Sequence, residues 1–303
     1  MGDAVSIQAS PPVRLPQWLR KPETHFFSVQ ALKRTLRCYN LHTVCESARC
    51  PNLHECFHRG TATFLILGDV CTRGCRFCSI STSSLYKQTS PVDPDEPENV
   101  ARVAAHMGLK HVVITSVSRD DLPDGGAEHF ARTVISVRQA IPEARVEVLV
   151  PDFGGNKDAV ASVLEAKPHI FNHNIETVPR LYPYVRPQAN YRRSLEVLRF
   201  AKRSCSEVIS KSGLMAGLGE KPDEVRQVLR DLRDVEVDIV TIGQYLRPSL
   251  RNLPVAEYIH PKRFDSYRAY GLQLGFRIVS SGPFVRSSYM AEVEASASME
   301  ESS

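Results

Sequence analysis

The sequence predicts an α/β protein, a partial (β/α)6 TIM-type barrel with an extension at each end. Three observations predict it. Short runs rich in Val, Ile and Leu alternate with stretches whose apolar residues recur three and four positions apart. Six such strands with five such helices between them follow one another between residues 61 and 250, as a parallel barrel or part of one requires. At 303 residues the chain is long enough to bury a large core.

The predicted strands are "TATFLILG" (61–68), "HVVITSV" (111–117), "RVEVLVP" (145–151), "HIFNHNI" (169–175), "SGLMAGL" (212–218) and "VDIVTIG" (237–243), each bounded by Gly, Pro or charge. Near-continuous apolar runs mark strands covered on both faces. Between them, "DEPENVARVAAHMG", "GGAEHFARTVISVRQAI", "NKDAVASVLEAK", "YRRSLEVLRFAKRS" and "KPDEVRQVLRDLRDV" read as amphipathic crossover helices. Three parts follow: an extension over 1–58 with little periodicity, the barrel over 59–250, and a C-terminal extension over 251–303. That last part has a Pro-rich start, a helix near 261–274 and a small, acidic tail expected to be disordered. No internal repeat is found.

With 38 Lys and Arg against 34 Asp and Glu, the net charge is +4. That is too little for a protein whose main task is wrapping nucleic acid. No run of about 18 apolar residues and no export signal are present, so no membrane partner is expected and the reading is cytoplasmic. The start "MGDAVS" matches the bare N-myristoylation pattern without a polybasic patch to support it.

Eight cysteines in a long chain without an export signal point to metal more than to disulfides. Six fall in two triplets. Cys71, Cys75 and Cys78 (C-x3-C-x2-C) directly follow the first strand, which places them on the functional face of a barrel. Three thiolates on one short loop suit a four-iron cluster whose fourth iron stays open. A zinc site normally draws a fourth protein ligand, and no Cys or His pair stands nearby. Cys45, Cys50 and Cys56 (C-x4-C-x5-C) fit neither zinc spacing nor the first pattern; a second cluster or three structural thiols remain open. Cys38 and Cys205 read as ordinary thiols.

"CTRGCRFC" after a first strand resembles the radical S-adenosylmethionine (SAM) signature. Further, "TVCESARCPNLHECF", "GTATFLILGDVCTRGCRFCSI", "VITSVSRDDLPDGGAEHF", "FNHNIETV", "KSGLMAGLGE", "TIGQYLRPS" and "SGPFVRSSY" together closely resemble the lipoyl synthase family. Biotin synthase, the nearest rival, would not explain C-x4-C-x5-C paired with a C-terminal "RSSY". The resemblance implies a partial barrel of the radical SAM type, SAM as cofactor and two 4Fe–4S clusters. It implies insertion of sulfur at C6 and C8 of a protein-bound octanoyl chain, the auxiliary cluster on Cys45, Cys50 and Cys56 being the sulfur donor. The fourth ligand of that cluster would be a serine of "RSSY", Ser288 favoured and Ser287 second. The expected partners are octanoylated lipoyl-carrier domains (2-oxoacid dehydrogenase E2 subunits and the glycine-cleavage carrier protein) and an electron donor such as ferredoxin or flavodoxin.

Other positions carry weaker signals. Phe77 reads either as a core aromatic or, by the resemblance, as a residue near the adenine of SAM. Asn172, Asn174 and Glu176 alternate, so they share one face of the fourth strand and fit a polar ligand such as SAM, whereas His173 points the other way. Ser118, Arg119 and "DGG" (124–126) read either as a turn and helix start or as a SAM contact. Arg286 beside the serines reads either as a holder of anions or as an ordinary surface residue. "GLGE" (217–220) is followed by Lys221 where many members have Thr, and Met290 stands where many have His. Arg192, Arg193, Arg199, Lys202 and Arg203 make the helix at 191–203 basic, either a solvated face or a dock for an acidic carrier domain.

Overall fold

The structure, a computed structural model, describes residues 14–20, 33–47, 50–59, 61–82 and 89–288. The N-terminal "MGDAVS", Tyr289, Met290 and the acidic tail lie outside the described residues. The N-terminal extension contributes a helical stretch over 33–38, strand β1 (His42–Thr43), helix α1 (Val44–Ser47) and helix α2 (Leu53–His58). Next come β2 (Thr61–Ile66), the short pair β3 (Val70–Cys71) and β4 (Ser81–Thr82), α3 (Glu96–His106), β5 (His111–Ser116), α4 (Ala127–Ala140), β6 (Arg145–Leu149) and α5 (Lys157–Glu165). The chain continues through β7 (Ile170–Asn172), α6 (Tyr182–Val185), α7 (Tyr191–Ser204), β8 (Ile209–Ala216), α8 (Pro222–Asp234), β9 (Ile239–Gln244), α9 (Pro261–Gln273) and β10 (Ile278–Gly282).

One sheet runs in the order β1-β2-β5-β6-β7-β8-β9-β10, and every neighbouring pair is parallel except β1 on β2. Its two ends do not pair, so the barrel is open. The six expected strands and five crossover helices are present. Two elements were not expected. β10 extends the sheet beyond the sixth strand, because "RIVSSG" alternates too weakly to read as a strand alone and gains its partner only beside β9. The first extension is not only loop: β1 pairs with the edge of β2 at His42–Leu65 and Thr43–Phe64.

The local reasons for the helices lie in their first turns. Asn156 caps α5 through bonds from Asp158 N and Ala159 N, and Asn190 caps α7 through Arg193 N. At α8, Glu224 reaches back to the Lys221 N–H at 2.7 Å, with Pro222 at the first position.

The outer face of the sheet packs Val112, Ile114, Val146, Val148 and Phe171 against Val103, Phe130, Val134 and Val160 of the helices, all buried. Each such side chain contributes about 1.5–3 kcal/mol by leaving water. The opposite face holds polar groups. Fully buried Glu147 of β6 meets Lys211 of β8 at 3.3 Å and His111 of β5 at 3.4 Å, and accepts a bond from Asn172 of β7 at 2.9 Å. Four strands thus meet through charge, which requires a concave inner face.

Candidate metal centre

The loop after β2 is bracketed by β3 and β4, which pair in parallel, Cys71 opposite Thr82. Cys71 Sγ accepts backbone N–H groups from Arg73 (3.4 Å) and Ser118 (3.3 Å). Burial pushes the Cys75 thiol up, with the charges of Glu176 and Cys71 adding to it and Arg186 opposing. Burial likewise raises Cys78 to about 12, and Cys75 and Cys71 add to it. The three thiols therefore lie within mutual electrostatic reach, each disfavouring charge on the next. A cationic iron cluster reverses that balance, since thiolates are the ligating form.

The loop is clamped from several elements. Buried Arg73 forks onto Asp120 at 2.6 and 2.8 Å and reaches the fully buried Asp152 at 2.7 Å. Both carboxyls are held below their usual range: Asp120 by its bonds from Arg73, and Asp152 because burial is outweighed by the charges of Arg73 and His173 together with the bonds from Arg73 and Gly154 N. Thr72 bonds Ser118 O and Asp120, Gly74 N donates to Gln188 Oε1, and Asn252 Nδ2 donates to Cys78 O at 2.7 Å. Sequence reasoning missed Arg73, Asp120 and Asp152; a charged residue inside the cysteine loop was the available signal.

The first triplet is built differently. Cys45 is buried on α1, its thiol raised to about 12 by burial and then by the charge of Cys50. Cys50 N donates to Cys45 O, and Cys56 N, on α2, to Asn52 O. Two contacts bring distant chain to this loop. Asn52 Nδ2 donates to Phe284 O at 2.7 Å, and Ser79, next to Cys78, donates to Ser47 O at 2.5 Å. The two cysteine loops and the C-terminal segment therefore meet. Among the described residues no three His, Cys, Asp or Glu groups converge as around a single ion; a four-iron cluster takes its thiolates on separate irons, a wider requirement.

The serine pair enters the inner face of the sheet. Asn174 Nδ2 donates to Ser287 Oγ at 2.6 Å and to Glu176 Oε1 at 3.1 Å. Gly213 and Gly243 leave the necessary space. A Cβ at Gly213 would lie 2.8 Å from Asn174 Oδ1 and 3.1 Å from Ser287 Oγ, and one at Gly243 would lie 2.0 Å from Val285 O. Ser288 follows in the same turn. Arg286 Nη1 donates to Val285 O, and burial pulls its guanidinium down against the charge of Cys50.

Asn174 and Glu176 lie beyond β7, which ends at Asn172 and not at the expected residue 175; they bond each other, the Glu176 charge acts on Cys75, and Glu176 occupies a left-handed backbone conformation at φ 65. Such a conformation is costly for a residue with a side chain and concentrates at ligand sites. Burial raises the Glu176 carboxyl, with Arg186 opposing. Asn172 lies deeper, engaged with Glu147, and its Oδ1 has no partner; the Oδ1 of Asn174 and Nε of Arg186 are also buried and unbonded. These orphaned groups around the cysteine loop fit a polar ligand such as SAM. Arg186 was not singled out from sequence. It bonds the carbonyls of Asn174 and Ile175 and stacks over Tyr182. Phe77 packs on the apolar cluster behind β8 and β9.

His173 faces outward and is satisfied by Val150 O and Ser194. "DGG" is a turn and helix start: Asp124 accepts from Gly126 N and Glu128 N, and Gly126, at φ 91, has no room for a Cβ beside Leu67. Arg119 turns to Asp121 and Leu67 O. In "GLGE", Glu220 accepts the N–H groups of Gly217 and Leu218. On α7, Arg193, Arg199 and Lys202 pair with Asp152, Glu196 and Asp238, whereas Arg192 and Arg203 are exposed.

The Radical SAM superfamily model matches residues 65–232, and the N-terminal domain of lipoyl synthase of the radical SAM family matches residues 2–50. Curated lipoyl synthases align along nearly the whole chain. That of Caldanaerobacter subterraneus subsp. tengcongensis is 52% identical over 93% of this chain and 97% of its own. That of Nitratidesulfovibrio vulgaris is 54% identical over 94% and 93%. The chain belongs to the lipoyl synthase family. As a lipoyl synthase of the radical SAM type it is an enzyme, and its family's cofactors are SAM and 4Fe–4S clusters, an auxiliary one among them. Solved structures share the fold of this lipoyl synthase at low identity: methylornithine synthase superposes with a TM-score of 0.53 at 15% identity, covering 84% of this chain and 82% of that one. Streptococcus suis SuiB reaches 0.57 at 10%, covering 84% and 52%. No helix among the described residues is long and apolar enough to cross a membrane.

Proposed function

We propose that the two cysteine triplets divide the work of lipoyl formation. Cys71, Cys75 and Cys78 hold the cluster that binds SAM, and Phe77, Asn174 and Glu176 line the SAM site, with Asn172 beneath them. Cys45, Cys50, Cys56 and Ser288 hold the auxiliary cluster, whose sulfur goes to C6 and C8 of a protein-bound octanoyl-lysine; Arg286 stands beside it. Bound SAM and the reduced cluster supply a carbon-centred oxidant that removes hydrogen from an unactivated chain. The protein contributes the clamp of Arg73 on Asp120 and Asp152, which holds the cysteine loop, and the inner-face glycines that admit the serine segment. A serine oxygen is harder than a thiolate and suits iron less well, so the iron it holds is the easiest to release. The observation that carries the reading is the meeting of the first triplet with the "RSS" segment through Asn52 and Phe284, 232 residues apart.

The same reading divides the chain into the auxiliary-cluster extension (1–58), the radical SAM barrel (59–250) and the serine-bearing C-terminal extension (251–303). It assigns octanoylated lipoyl-carrier domains as substrates, ferredoxin or flavodoxin as electron donor, and the cytoplasm as compartment. Exposed Arg192 and Arg203 on α7 support steering of an acidic carrier.

The test is anaerobic reconstitution with an octanoylated carrier domain, SAM and reductant. About eight irons per chain are expected, since each cluster holds four. Replacing Cys71, Cys75 or Cys78 by Ala should abolish 5′-deoxyadenosine formation. Replacing Cys45, Cys50 or Cys56 should stop sulfur insertion and leave SAM cleavage. Identical behaviour of the two sets would overturn the division.

A further inference from the structure

The serine segment reaches the first triplet from the far end of the chain, so something must fix where it lands. Two side-chain tethers hold it. Asn174, two residues beyond β7, bonds Ser287 Oγ at 2.6 Å. Asn52 bonds Phe284 O at 2.7 Å, and Asn52 sits inside the triplet itself, between Cys50 and Cys56.

We infer that Asn52 is a positioning residue, the side chain through which the first triplet docks segment 284–288 and so determines whether a serine can complete its cluster. This rests on the reading that a serine closes the auxiliary cluster. Several features favour a dedicated role. Asn52 is 1% exposed, a burial that an amide side chain tolerates only when bonded. Its backbone carbonyl accepts Cys56 N at 2.9 Å, the first bond of α2, whereas its amide Nδ2 is directed away from that helix to Phe284 O. Its target is a main-chain carbonyl, so the bond selects a backbone position and not a residue type. The segment arrives at fixed depth, because Val285 O rests against the bare Cα of Gly243. With Phe284 tied to the triplet's own loop, the following residues Arg286 to Ser288 leave from a point fixed on the loop between Cys50 and Cys56.

Only a short donor fits this role. Aspartate has the same shape but turns a carboxylate towards the Phe284 carbonyl, so it should fail as alanine does. Glutamine keeps the donor but is one methylene longer, and should recover only part of the docking.

The experiment follows amide hydrogen exchange at Val285 to Ser288 in the iron-free chain, together with iron content after reconstitution. In the unsubstituted chain these amides should be protected before any iron is added. Asn52→Ala and Asn52→Asp should each raise their exchange about tenfold, the scale of one lost buried hydrogen bond. After reconstitution both variants should lose auxiliary-cluster iron to a chelator about tenfold faster, while 5′-deoxyadenosine formation stays within twofold. Absence of protection in the unsubstituted chain would overturn the inference, and that measurement needs no variant to fold. So would an Asn52→Asp chain that exchanges and holds iron like the original. The underlying reading has its own arm: if Ser287→Ala and Ser288→Ala both keep the auxiliary iron while Asn52→Ala still frees the segment, the serine ligand is wrong and the docking role stands. If the serine variants lose iron and Asn52→Ala exchanges normally, the docking role is wrong and the ligand stands.

Discussion

Lys211→Met probes the charged floor beneath the site. Lys211 and Glu147 are both fully buried, 3.3 Å apart, with His111 at 3.4 Å and Asn172 completing the carboxylate. Burial alone would raise the Glu147 carboxyl; the Lys211 charge, then His111 and Asn172, more than offset it, and the net direction is downward. Methionine keeps the volume and removes the charge, leaving a buried carboxylate without its strongest partner. Breaking a buried pair from one side costs about 3–5 kcal/mol. At about 2–4 °C per kcal/mol, that is a melting temperature lower by roughly 6–20 °C. The double variant Glu147→Gln/Lys211→Met leaves no unpaired charge and should recover most of the loss. The pH dependence has a definite sign. In the original chain the lowered carboxyl contributes stability above the unfolded carboxylate pKa, about 4.3, and loses it as pH falls. In Lys211→Met burial dominates and the carboxyl lies above its unfolded value, so that variant gains stability as pH falls from 7 towards 4. The two melting curves, followed by circular dichroism on the iron-free chain, should therefore converge on acidification. A single variant within about 1 kcal/mol of the original, or no less stable than the double, would refute this account of the buried pair.

Other outcomes follow from the same geometry. Burial, then the charge of Arg186, pushes His173 down to about 4, so its neutral form stabilises the fold above pH 6.5 and that contribution is lost as pH falls towards 4. The loss amounts to about 3 kcal/mol. Urea titrations at pH 7 and pH 4.5 should show His173→Gln with a clearly shallower decline. Arg73→Met leaves the fully buried Asp152 with Arg193 at 3.3 Å and the Gly154 N–H at 3.1 Å, and releases the cysteine loop from Asp120 and Asp152. Its effect should fall on the 71–78 triplet first: fewer irons per chain and loss of 5′-deoxyadenosine formation, with Cys45, Cys50 and Cys56 still able to load. Equal iron and SAM cleavage in Arg73→Met and the original would show that the clamp is dispensable.

The barrel was readable because its signals are local. A buried strand must be apolar along its length and a crossover helix must be apolar along one stripe, so β2, β5, β6, β8 and β9 and all five crossover helices announce themselves within a few residues. β10 does not, since "RIVSSG" becomes a strand only by pairing with β9. The inner-face charges were hardly legible: Glu147 interrupts the apolar run "RVEVLVP", but Lys211 stands between two serines ahead of the expected strand 212–218, and nothing local says that the two face each other across β7. Alternation along "FNHNIETV" predicts one strand carrying Asn172, Asn174 and Glu176 on a shared face, whereas β7 ends at Asn172 and the segment that follows it sets Asn174 and Glu176, the latter at φ 65. "DGG" was ambiguous because a capping turn and a ligand loop use the same residues.

What the sequence by itself determined is the α/β order and the two cysteine triplets, both consequences of spacing along one chain. Only the tertiary structure decided that Asn52 meets Phe284, that Ser287 lies against Asn174 in the gap left by Gly213, and that Arg73 ties one cysteine loop to the ends of two strands. Those contacts join residues tens to hundreds of positions apart. No periodicity encodes them; they exist because an open parallel sheet brings the ends of its strands to one rim and leaves its edges to be covered by the two ends of the chain.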